Sequence, residues 1–490
     1  MPAHSAIRRS GGLVTMSNNA ALPTVKPAAV AAVTAMAGFI AFLDATIVNI
    51  AIPSIHADFS SFSLESLSWV INIYNIVFAA FLLPAGRYAD RFGRKLVFML
   101  GLALFVAMSL LCAVATGLWF LVAARAFQAL GAALIVPTSL ALLLPAFPAE
   151  RRGVAVSIFA ATAALASGIG PALGGLLIEI ADWRMVFAVN IPIGLLTLLA
   201  TWRWVPEAKE GRAAGNPDRL AIVAVAVGSG AIALMIVKGN DWGWTDLRTL
   251  VCLAIGLALI AIVARRCATH ATPLIDGRIF RDRAVAVSSI GTFVLAVPFY
   301  AFLLANVLFL TSVWNYSTLL AGLAMTPPPL AAVVVARPAG RLYDRYGARY
   351  PTLAGGVLVG LGLLCYAVSA GPEPDFLADW LPGAVISGIG VGLIWPSLAS
   401  ASVQNVDHER FGTATAFNSA LRQLGGVIGV AACVSYLSSQ GQQNPLDAFH
   451  HVWLAAAAVA VLAGVIGLGL VRDRVPDEPV GGLRPDAVGA

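Results

Sequence analysis

The sequence has little charge for its length. Of its 490 residues, 11% are charged and 59% are hydrophobic, whereas soluble domains carry about 25% charged and roughly 45–50% apolar residues. A chain with so few charges cannot cover the surface of a soluble protein of this size. The shortage excludes a soluble globular protein, and the net charge of +6 is therefore not evidence for binding to nucleic acid.

Cysteine pairs and nucleotide-binding loops are also missing. The five cysteines form no CxxC pair, which argues against a metal site or a redox pair. The sequence has no GxxxxGK[ST] loop, so it carries no such motif for binding ATP. We predict that the protein has no metal and no cofactor, and that it does not bind nucleic acid.

The apolar residues are gathered into long blocks. Each block has roughly 18–27 residues, enough for a helix to cross a hydrocarbon core about 30 Å thick. We predict an all-α membrane protein with fourteen transmembrane helices. The predicted spans are 28–52, 66–86, 96–115, 118–144, 154–180, 185–205, 220–237, 247–264, 284–310, 319–340, 352–370, 381–404, 413–437 and 452–471.

The Lys and Arg residues indicate the orientation of these spans. Of the 31 Lys and Arg residues, all but six lie in the tails and in the loops on one face. Only Arg184, Lys238 and Arg248 lie in the opposite loops. Short loops rich in Lys and Arg stay on the cytoplasmic side. We therefore predict a protein of the cytoplasmic membrane with both termini in the cytoplasm.

An internal repeat divides the chain into two six-helix units. GRYADRFGRK at 86–95 reappears as GRLYDRYGAR at 340–349, an offset of 254, and GAALIVPTS at 131–139 resembles GVGLIWPSL at 390–398, an offset of 259. Two such halves around a central site are typical of transporters.

The repeat predicts the domain organisation, in which the two inserted helices lie at the periphery because a cavity between the halves does not require them. The predicted units are a cytoplasmic tail at 1–27, an N-terminal half at 28–205, a linker with the two inserted helices at 206–283, a C-terminal half at 284–471, and a cytoplasmic tail at 472–490.

Asp44 is a lone carboxylate deep within the first span, in AFLDATIVNIAIP. A charge at that depth costs at least about 2.5–3.5 kcal/mol on insertion scales, which makes it a candidate functional residue. We predict that Asp44 carries protons; the alternative is a structural hydrogen bond to a Ser, Thr or Asn, such as Asn72 or Asn75 on the second span. Arg125, in RAFQALGAA of the fourth span, is the candidate partner, and the alternative is that its side chain extends to the outer interface.

The turn between the second and third spans is dense in Gly, Asp and Arg. Asp90 is expected near the N-terminus of the third span, where the helix dipole favours a carboxylate. Gly86 and Gly93 are expected to allow a tight turn between close helices. Because the motif recurs in the second half, we predict a gating role for these residues with Arg91 and Arg94. The alternative is an ordinary charged turn that fixes topology.

A run of small residues, SGIGPALGG, lies in the fifth span. Gly170, Gly174 and Gly175 allow close helix contact, and Pro171 permits a bend. We expect this helix at the outer half of the interface between the two halves, where the alternative role is packing alone.

Four further residues are candidates for the lining of a central cavity. Arg422 lies in the middle of the thirteenth span beside Asn418, and an arginine at that depth faces a cavity or an internal partner. Trp69 and Tyr74 of the second span are candidates for contact with aromatic substrates, with core packing as the alternative.

These motifs together resemble the major facilitator superfamily, in particular its fourteen-helix drug:proton antiporter branch, the EmrB/QacA type. The resemblance rests on GRYADRFGRK, LDATIVNIAIP, RAFQALGAA, GIGPALGG, WRMVFAVNIPIG and RQLGGVIGVA. It implies that Asp44 and Arg125 are the proton-coupling pair, that the span 5 motif marks export, and that the proton gradient supplies the driving force.

The resulting hypothesis is a proton-coupled efflux transporter, not an enzyme, that works by alternating access. Its expected partners are small hydrophobic or amphipathic substrates, protons and the lipid bilayer, with a periplasmic adaptor protein as a further candidate. One alternative is a dedicated exporter of a single metabolite or natural product. Another is a non-transporting membrane receptor, against which the intramembrane Asp44 and Arg125 argue.

Overall fold

Among the residues that a computed structural model of the chain describes, every regular element is helical. These residues are 27–147, 152–207, 218–270, 273, 277, 282–404, 406, 411–440 and 444–470. The two predicted tails and part of the predicted linker lie outside them, apart from residue 27.

Sixteen α-helices follow one another along the described chain. The first seven are α1 Pro27–Asp58, α2 Leu64–Phe92, α3 Arg94–Ala113, α4 Leu118–Leu143, α5 Arg152–Ile180, α6 Met185–Ala188 and α7 Asn190–Trp204. The next two are α8 Arg219–Trp242 and α9 Leu247–Thr269. The others are α10 Arg283–Ser312, α11 Thr318–Ala324, α12 Pro327–Tyr346, α13 Arg349–Ser369, α14 Leu381–Ala401, α15 Phe411–Gln440 and α16 Pro445–Ile466.

The lengths of these helices confirm the predicted multi-pass membrane architecture. In the described part of the chain, 13 helical segments are long and apolar enough to cross a membrane. Helix α5, with 29 residues, corresponds to the remaining predicted span. Two of the 13 segments combine a short helix with the long helix after it, α6 with α7 and α11 with α12.

Proline explains why these two spans are broken. Pro192 lies in the first turn of α7, and Pro327 begins α12. Because proline has no N–H to donate to the preceding turn and its ring crowds that turn, the shorter helix ends before it and a new helix begins. The predicted spans 185–205 and 319–340 do not show this interruption, since the apolar pattern continues through it.

Two helices run past their predicted ends and stop at equivalent glycines. Helix α2 continues beyond 86 to Gly93, and α12 continues beyond 340 to Gly347, where φ is 112° and 72° respectively. Side chains other than glycine rarely adopt such angles. The charged residues before each glycine can adopt helical backbone angles, so the helix continues beyond the apolar block. It ends at the glycine, where φ becomes positive.

A glycine pair joins neighbouring helices at the same place in each repeat. In the first half, a Cβ on Gly131 of α4 would lie 2.8 Å from the carbonyl oxygen of Gly101 of α3. In the second half, a Cβ on Gly390 of α14 would lie 2.6 Å from the carbonyl oxygen of Gly355 of α13. Gly355 follows Gly101 by 254 residues and Gly390 follows Gly131 by 259, which are the offsets of the repeated motifs. The two halves therefore share this close contact between backbones as well as the motifs.

The inserted helices α8 and α9 differ in their surroundings. Helix α9 packs on α8, and only 11% of its most apolar stretch of 18 residues is buried. This agrees with the predicted peripheral position. Helix α8 instead lies against both α2 and α15: Ala233 forms an apolar cluster with Ile76 of α2 and Val427 of α15. Helix α8 therefore covers the seam between helices of the two repeats, and its peripheral position relative to a central cavity stays a prediction.

The difference in burial between α8 and α9 predicts that the same substitution lowers the Tm in α8 but not in α9. Ala233 is fully buried, so Ala233→Trp should overpack the seam, at a cost of about 1–3 kcal/mol, and lower the Tm of the detergent-solubilised protein. Ala258 of α9 is exposed, so Ala258→Trp serves as the matched control and should leave the Tm unchanged. Equal Tm values for the two variants would contradict the assigned position of α8.

Candidate functional site

Asp44 lies near the middle of α1 and is completely buried. Its carboxylate accepts three hydrogen bonds from side chains of two other helices. Oδ2 accepts from Arg125 Nη1 at 2.5 Å, and Oδ1 accepts from Gln128 Nε2 at 2.8 Å and from Asn190 Nδ2 at 3.0 Å. Since a buried carboxylate requires a partner charge and donors for its lone pairs, these three residues supply what the burial of Asp44 requires.

Helix geometry brings the donors to one point. Arg125 and Gln128 are three residues apart on α4, so they lie on the same face of the helix. Asn190 is the first residue of α7, and Pro192 lies in the same first turn. The break that separates α6 from α7 thus places an amide at the level of Asp44.

The guanidinium of Arg125 is enclosed as fully as the carboxylate, with a side chain that is 1% exposed. Besides Asp44, it donates to Gln128 Oε1 at 2.7 Å and, through Nε, to the carbonyl oxygen of Val70 at 3.3 Å. Its Cζ lies 4.1 Å from the centroid of the Tyr74 ring and 5.6 Å from that of Phe187. Aromatic faces attract a guanidinium, so α2 and α6 complete its surroundings.

A second layer of polar groups orients the first. Ser109 Oγ of α3 accepts from Gln128 Nε2 at 2.8 Å and from Asn190 Nδ2 at 3.5 Å. Cys112 Sγ donates to Gln128 Oε1 at 3.7 Å. The side chain of Gln128 therefore has partners for both its oxygen and its nitrogen, and it cannot rotate without breaking bonds to Asp44 and Arg125 together.

The alternatives for Asp44 and Arg125 compare differently with this geometry. The arginine does not extend to the outer interface. The carboxylate does accept a hydrogen bond from an asparagine, but from Asn190 and not from Asn72 or Asn75, so a structural role for Asp44 stays open beside proton transfer. Both amide atoms of Asn72 are buried without a hydrogen-bond partner among the described residues. The sequence signal for the missed residues was present, since Gln128 and Asn190 are polar residues inside apolar spans and belong to quoted motifs.

The candidate cavity residues of α2 have separate places. Tyr74 is 2% exposed and stacks on Phe78 with its centroid 6.0 Å away, so it forms part of the wall around Arg125. Trp69 is half-buried and packs against the cluster that contains Ala233 and Val427. Both aromatic side chains contribute to helix packing, which was the alternative role in the sequence analysis.

The candidate residues of α15 lie in the second repeat. Asn418 Nδ2 donates to Thr292 Oγ1 of α10 at 2.9 Å. Arg422 is half-buried, with Cζ 5.6 Å from the centroid of the Trp395 ring of α14. The described contacts of these residues include neither Asp44 nor Arg125, so the sequence-predicted site residues fall into separate groups.

The turn between α2 and α3 is held by a residue from the end of α7. Gly93 adopts its positive φ between the two helices, and Glu207 Oε1 accepts from the backbone N–H of Lys95 at 3.1 Å. Lys95 Nζ donates to the carbonyl oxygen of Trp202 at 3.1 Å, and Arg94 Nη1 donates to that of Ala141 at 3.3 Å. The turn thus ties α2 and α3 to the ends of α4 and α7.

One expectation about this turn needs correction, and another stays a prediction. Glu207 places a carboxylate at the N-terminus of α3. Asp90 lies in the last turn of α2, and its side chain lies outside the described part of the chain, so its role there stays a prediction. Gly86 is neither at the turn nor at a close approach, because it lies within α2 and a Cβ there would have no described atom within 4 Å. Arg91 is exposed, with Cζ 5.3 Å from the centroid of the Phe92 ring.

The small residues of α5 let it pack closely on two sides. Toward α1, a Cβ on Gly174 would lie 2.6 Å from side-chain atoms of Ile47 and Ile50, and a Cβ on Gly170 would overlap Thr46. These α1 residues follow Asp44 within two turns, so α5 rests on the helix that carries the carboxylate.

The other side of α5 faces α11. A Cβ on Gly175 would lie 2.5 Å from the carbonyl oxygen of Thr318, and a Cβ on Gly322 would overlap the carbonyl oxygen of Pro171. Because α11 belongs to the second repeat, α5 joins a helix of each repeat, as predicted for a helix at their interface.

The buried pair predicts a characteristic pattern of stability. Arg125→Met should lower the Tm strongly, because removing one partner of a buried pair leaves an unpaired charge and costs about 3–5 kcal/mol. Adding Asp44→Asn should restore part of the loss, since it removes that charge. Arg337 of α12 is exposed, and Arg337→Met is the matched control. Additive effects of the two substitutions, or an equal effect of Arg337→Met, would contradict the pairing.

Comparison with known proteins places the chain in a family. The model of the Major Facilitator Superfamily matches residues 34–429 and 288–487. The multidrug resistance protein Stp of Mycobacterium tuberculosis (strain CDC 1551 / Oshkosh) is 37% identical over 410 residues, covering 82% of this chain and 74% of Stp. The cephamycin export protein CmcT of Amycolatopsis lactamdurans is 32% identical over 446 residues, covering 88% and 90%.

Two further similarities cover almost the whole chain. The methylenomycin A resistance protein of Streptomyces coelicolor is 29% identical over 463 residues, which are 93% of each chain. The crystal structure of a peptide transporter POT in complex with sulfate matches with a TM-score of 0.64 over 90% of this chain and 94% of that one, at 17% identity. This last likeness concerns the fold. The chain belongs to the major facilitator superfamily.

Proposed function

We propose that this protein is a proton-coupled efflux transporter of the cytoplasmic membrane, which exports small hydrophobic or amphipathic molecules by alternating access. The observation that carries the proposal is the buried network of Asp44, Arg125, Gln128 and Asn190. The relatives support export as the direction of transport and small molecules as the substrates, because their names describe multidrug resistance, cephamycin export and methylenomycin A resistance. The distribution of Lys and Arg supports cytoplasmic termini.

Asp44 is suited to carry the proton because its two protonation states differ in their bonds. The ionised carboxylate holds Arg125, Gln128 and Asn190 at once. A protonated carboxyl no longer balances the charge of Arg125, so the contacts of α1 with α4 and α7 weaken when a proton binds. Each cycle then requires Asp44 to leave and rejoin this network.

The packing of α5 offers a route from protonation to helix movement. Helix α1 carries Asp44 and is in close contact with α5 at Gly170 and Gly174, while α5 meets α11 at Gly175 and Gly322. A displacement of α1 relative to α4 is therefore transmitted to a contact between the repeats. Under the proposed topology this contact lies at the outer end of α5, so it closes the outer side.

A dedicated exporter of one natural product is the second candidate function. It is favoured by CmcT and the methylenomycin A resistance protein, each named for a single antibiotic. A growth-inhibition panel in an efflux-deficient host, with and without this chain, separates the two candidates: protection against unrelated compounds indicates multidrug export, and protection against one structural class indicates a dedicated exporter. A periplasmic adaptor protein stays a prediction.

The proposal predicts that Asp44→Asn abolishes proton-driven export while the protein still folds. Asparagine preserves the shape of the side chain and cannot take up a proton in this way. The measurement is dye export into everted vesicles under an imposed pH gradient, with size-exclusion chromatography as the test of folding. Asp241 is exposed on α8, and Asp241→Asn is the matched control. Wild-type export by Asp44→Asn would refute the proton-carrier role.

A second prediction concerns the pH dependence of transport. Replacing Arg125 with Gln removes the positive charge that balances the buried carboxylate of Asp44. The pH optimum of export should therefore move upward, and Arg125→Lys should retain part of the activity, since an ammonium lacks the planar fork of donors. The exposed Arg337→Gln should leave the profile unchanged. An unshifted profile in Arg125→Gln would exclude Arg125 from proton coupling.

A further inference from the structure

Arg422 is a cation in the middle of α15 that forms no ion pair with a carboxylate among the described residues. Helices α10, α14 and α15 contain no Asp or Glu in their sequences. An arginine within a membrane span is costly and is found facing a bundle interior or a cavity, or paired. Asp44 satisfies this requirement for Arg125, whereas no described carboxylate does so for Arg422.

The immediate surroundings of Arg422 are aromatic and polar rather than acidic. Its Cζ lies 5.6 Å from the centroid of the Trp395 ring, and Trp395 in turn packs edge-on against Phe299 with centroids 5.6 Å apart. The Nε atom is buried and has no hydrogen-bond partner among the described residues. The neighbouring Gln423 is occupied, because its Oε1 accepts from Tyr300 OH at 3.1 Å.

The direction of the side chain places Arg422 between helices. Helix α15 packs chiefly on α10, α2 and α8, and α14 packs chiefly on α13 and α12. The side chain of Arg422 extends from α15 toward the Trp395 ring of α14. Close packing of α15 on α10, where a Cβ on Gly425 would lie 2.5 Å from the carbonyl oxygen of Phe293, fixes the helix that carries it.

Tyr300 connects this region with the first repeat. Its ring packs on the apolar cluster that contains Leu43 and Ile47 of α1, and its OH donates to Gln423, the chain neighbour of Arg422. Tyr300 thus connects this part of α15 with the helix that carries Asp44, and a transporter of this architecture places its substrate near the interface of the repeats.

We propose that Arg422 binds an anionic group of the exported molecule, and that Trp395 and Tyr300 pack against its apolar body. The substrates would then be amphipathic molecules that carry a carboxylate, sulfonate or similar group. A guanidinium with an unused donor suits such a group because charge-assisted hydrogen bonds are among the strong ones. This inference rests on the proposed export function and narrows its substrate class.

Two dyes of one skeleton test this inference directly. The first is 1-anilinonaphthalene-8-sulfonate, and the second is N-phenyl-1-naphthylamine, which lacks the sulfonate. Binding of each dye to the full-length protein is measured in phosphatidylcholine nanodiscs, with empty nanodiscs subtracted. The wild type should bind the sulfonate more tightly than the neutral dye. Arg422→Gln should weaken sulfonate binding about tenfold or more, the range expected for a hydrogen bond to a charged group, with binding of the neutral dye unchanged.

Matched variants separate recognition from general effects of charge and folding. Arg422→Lys should keep the preference for the sulfonate, whereas Arg337→Gln, the same change at an exposed position of α12, should leave both affinities unaltered. Adding phosphatidylglycerol to the nanodiscs shows whether an anionic lipid competes for the site: weaker sulfonate binding in the wild type, and no change in Arg422→Gln, would identify Arg422 as the point of competition.

Several results would overturn the inference. They are equal or weaker binding of the sulfonate by the wild type, an equal loss for both dyes in Arg422→Gln, or the same loss in Arg337→Gln. The wild-type comparison decides the question even if Arg422→Gln does not fold. Export of both dyes under a pH gradient in proteoliposomes is measured in parallel: export without anion preference refutes this inference alone, and anion preference in binding without export of either dye refutes the proposed function alone.

Discussion

The ion pair between Asp44 and Arg125 is the interaction on which the arrangement of the first repeat depends. Neither charge has contact with water, with 0% and 1% of the side chains exposed, so each is tolerated only because the other is present. Gln128 and Asn190 supply the remaining hydrogen bonds. A buried pair of this kind is weak evidence for stability, since an apolar replacement is often as stable. Its retention is better explained by a function that needs a removable charge, such as proton transport.

The helix that carries the buried carboxylate is connected to the second repeat through α5. Small residues on α5 bring its backbone against α1 on one side and against α11 on the other, without long side chains to absorb a displacement. Closely packed elements transmit small shifts because packed cores do not deform continuously. Asp44 and the contact between the repeats are thus physically linked through two helix interfaces.

The two repeats share backbone features and differ in charge. Both end their second long helix at a positive-φ glycine, and both join the next pair of helices through glycines. The first repeat encloses its intramembrane arginine with a carboxylate, whereas Arg422 in the second lies against Trp395 and leaves a donor unused. The inserted helix α8 covers the seam between α2 and α15, where Asn240 Nδ2 also donates to Ser435 of α15.

The sequence by itself determined the membrane class, the fourteen spans, the repeat and the residues Asp44 and Arg125, because apolar length, the distribution of Lys and Arg and a deep charge are all local signals. Only the tertiary structure decided that Gln128 and Asn190 share the carboxylate, that Glu207 meets the N-terminus of α3, and that α8 lies at the seam. Each of these depends on contacts between residues far apart in the chain. Helical periodicity specifies a face of one helix, but it does not specify which helix that face meets.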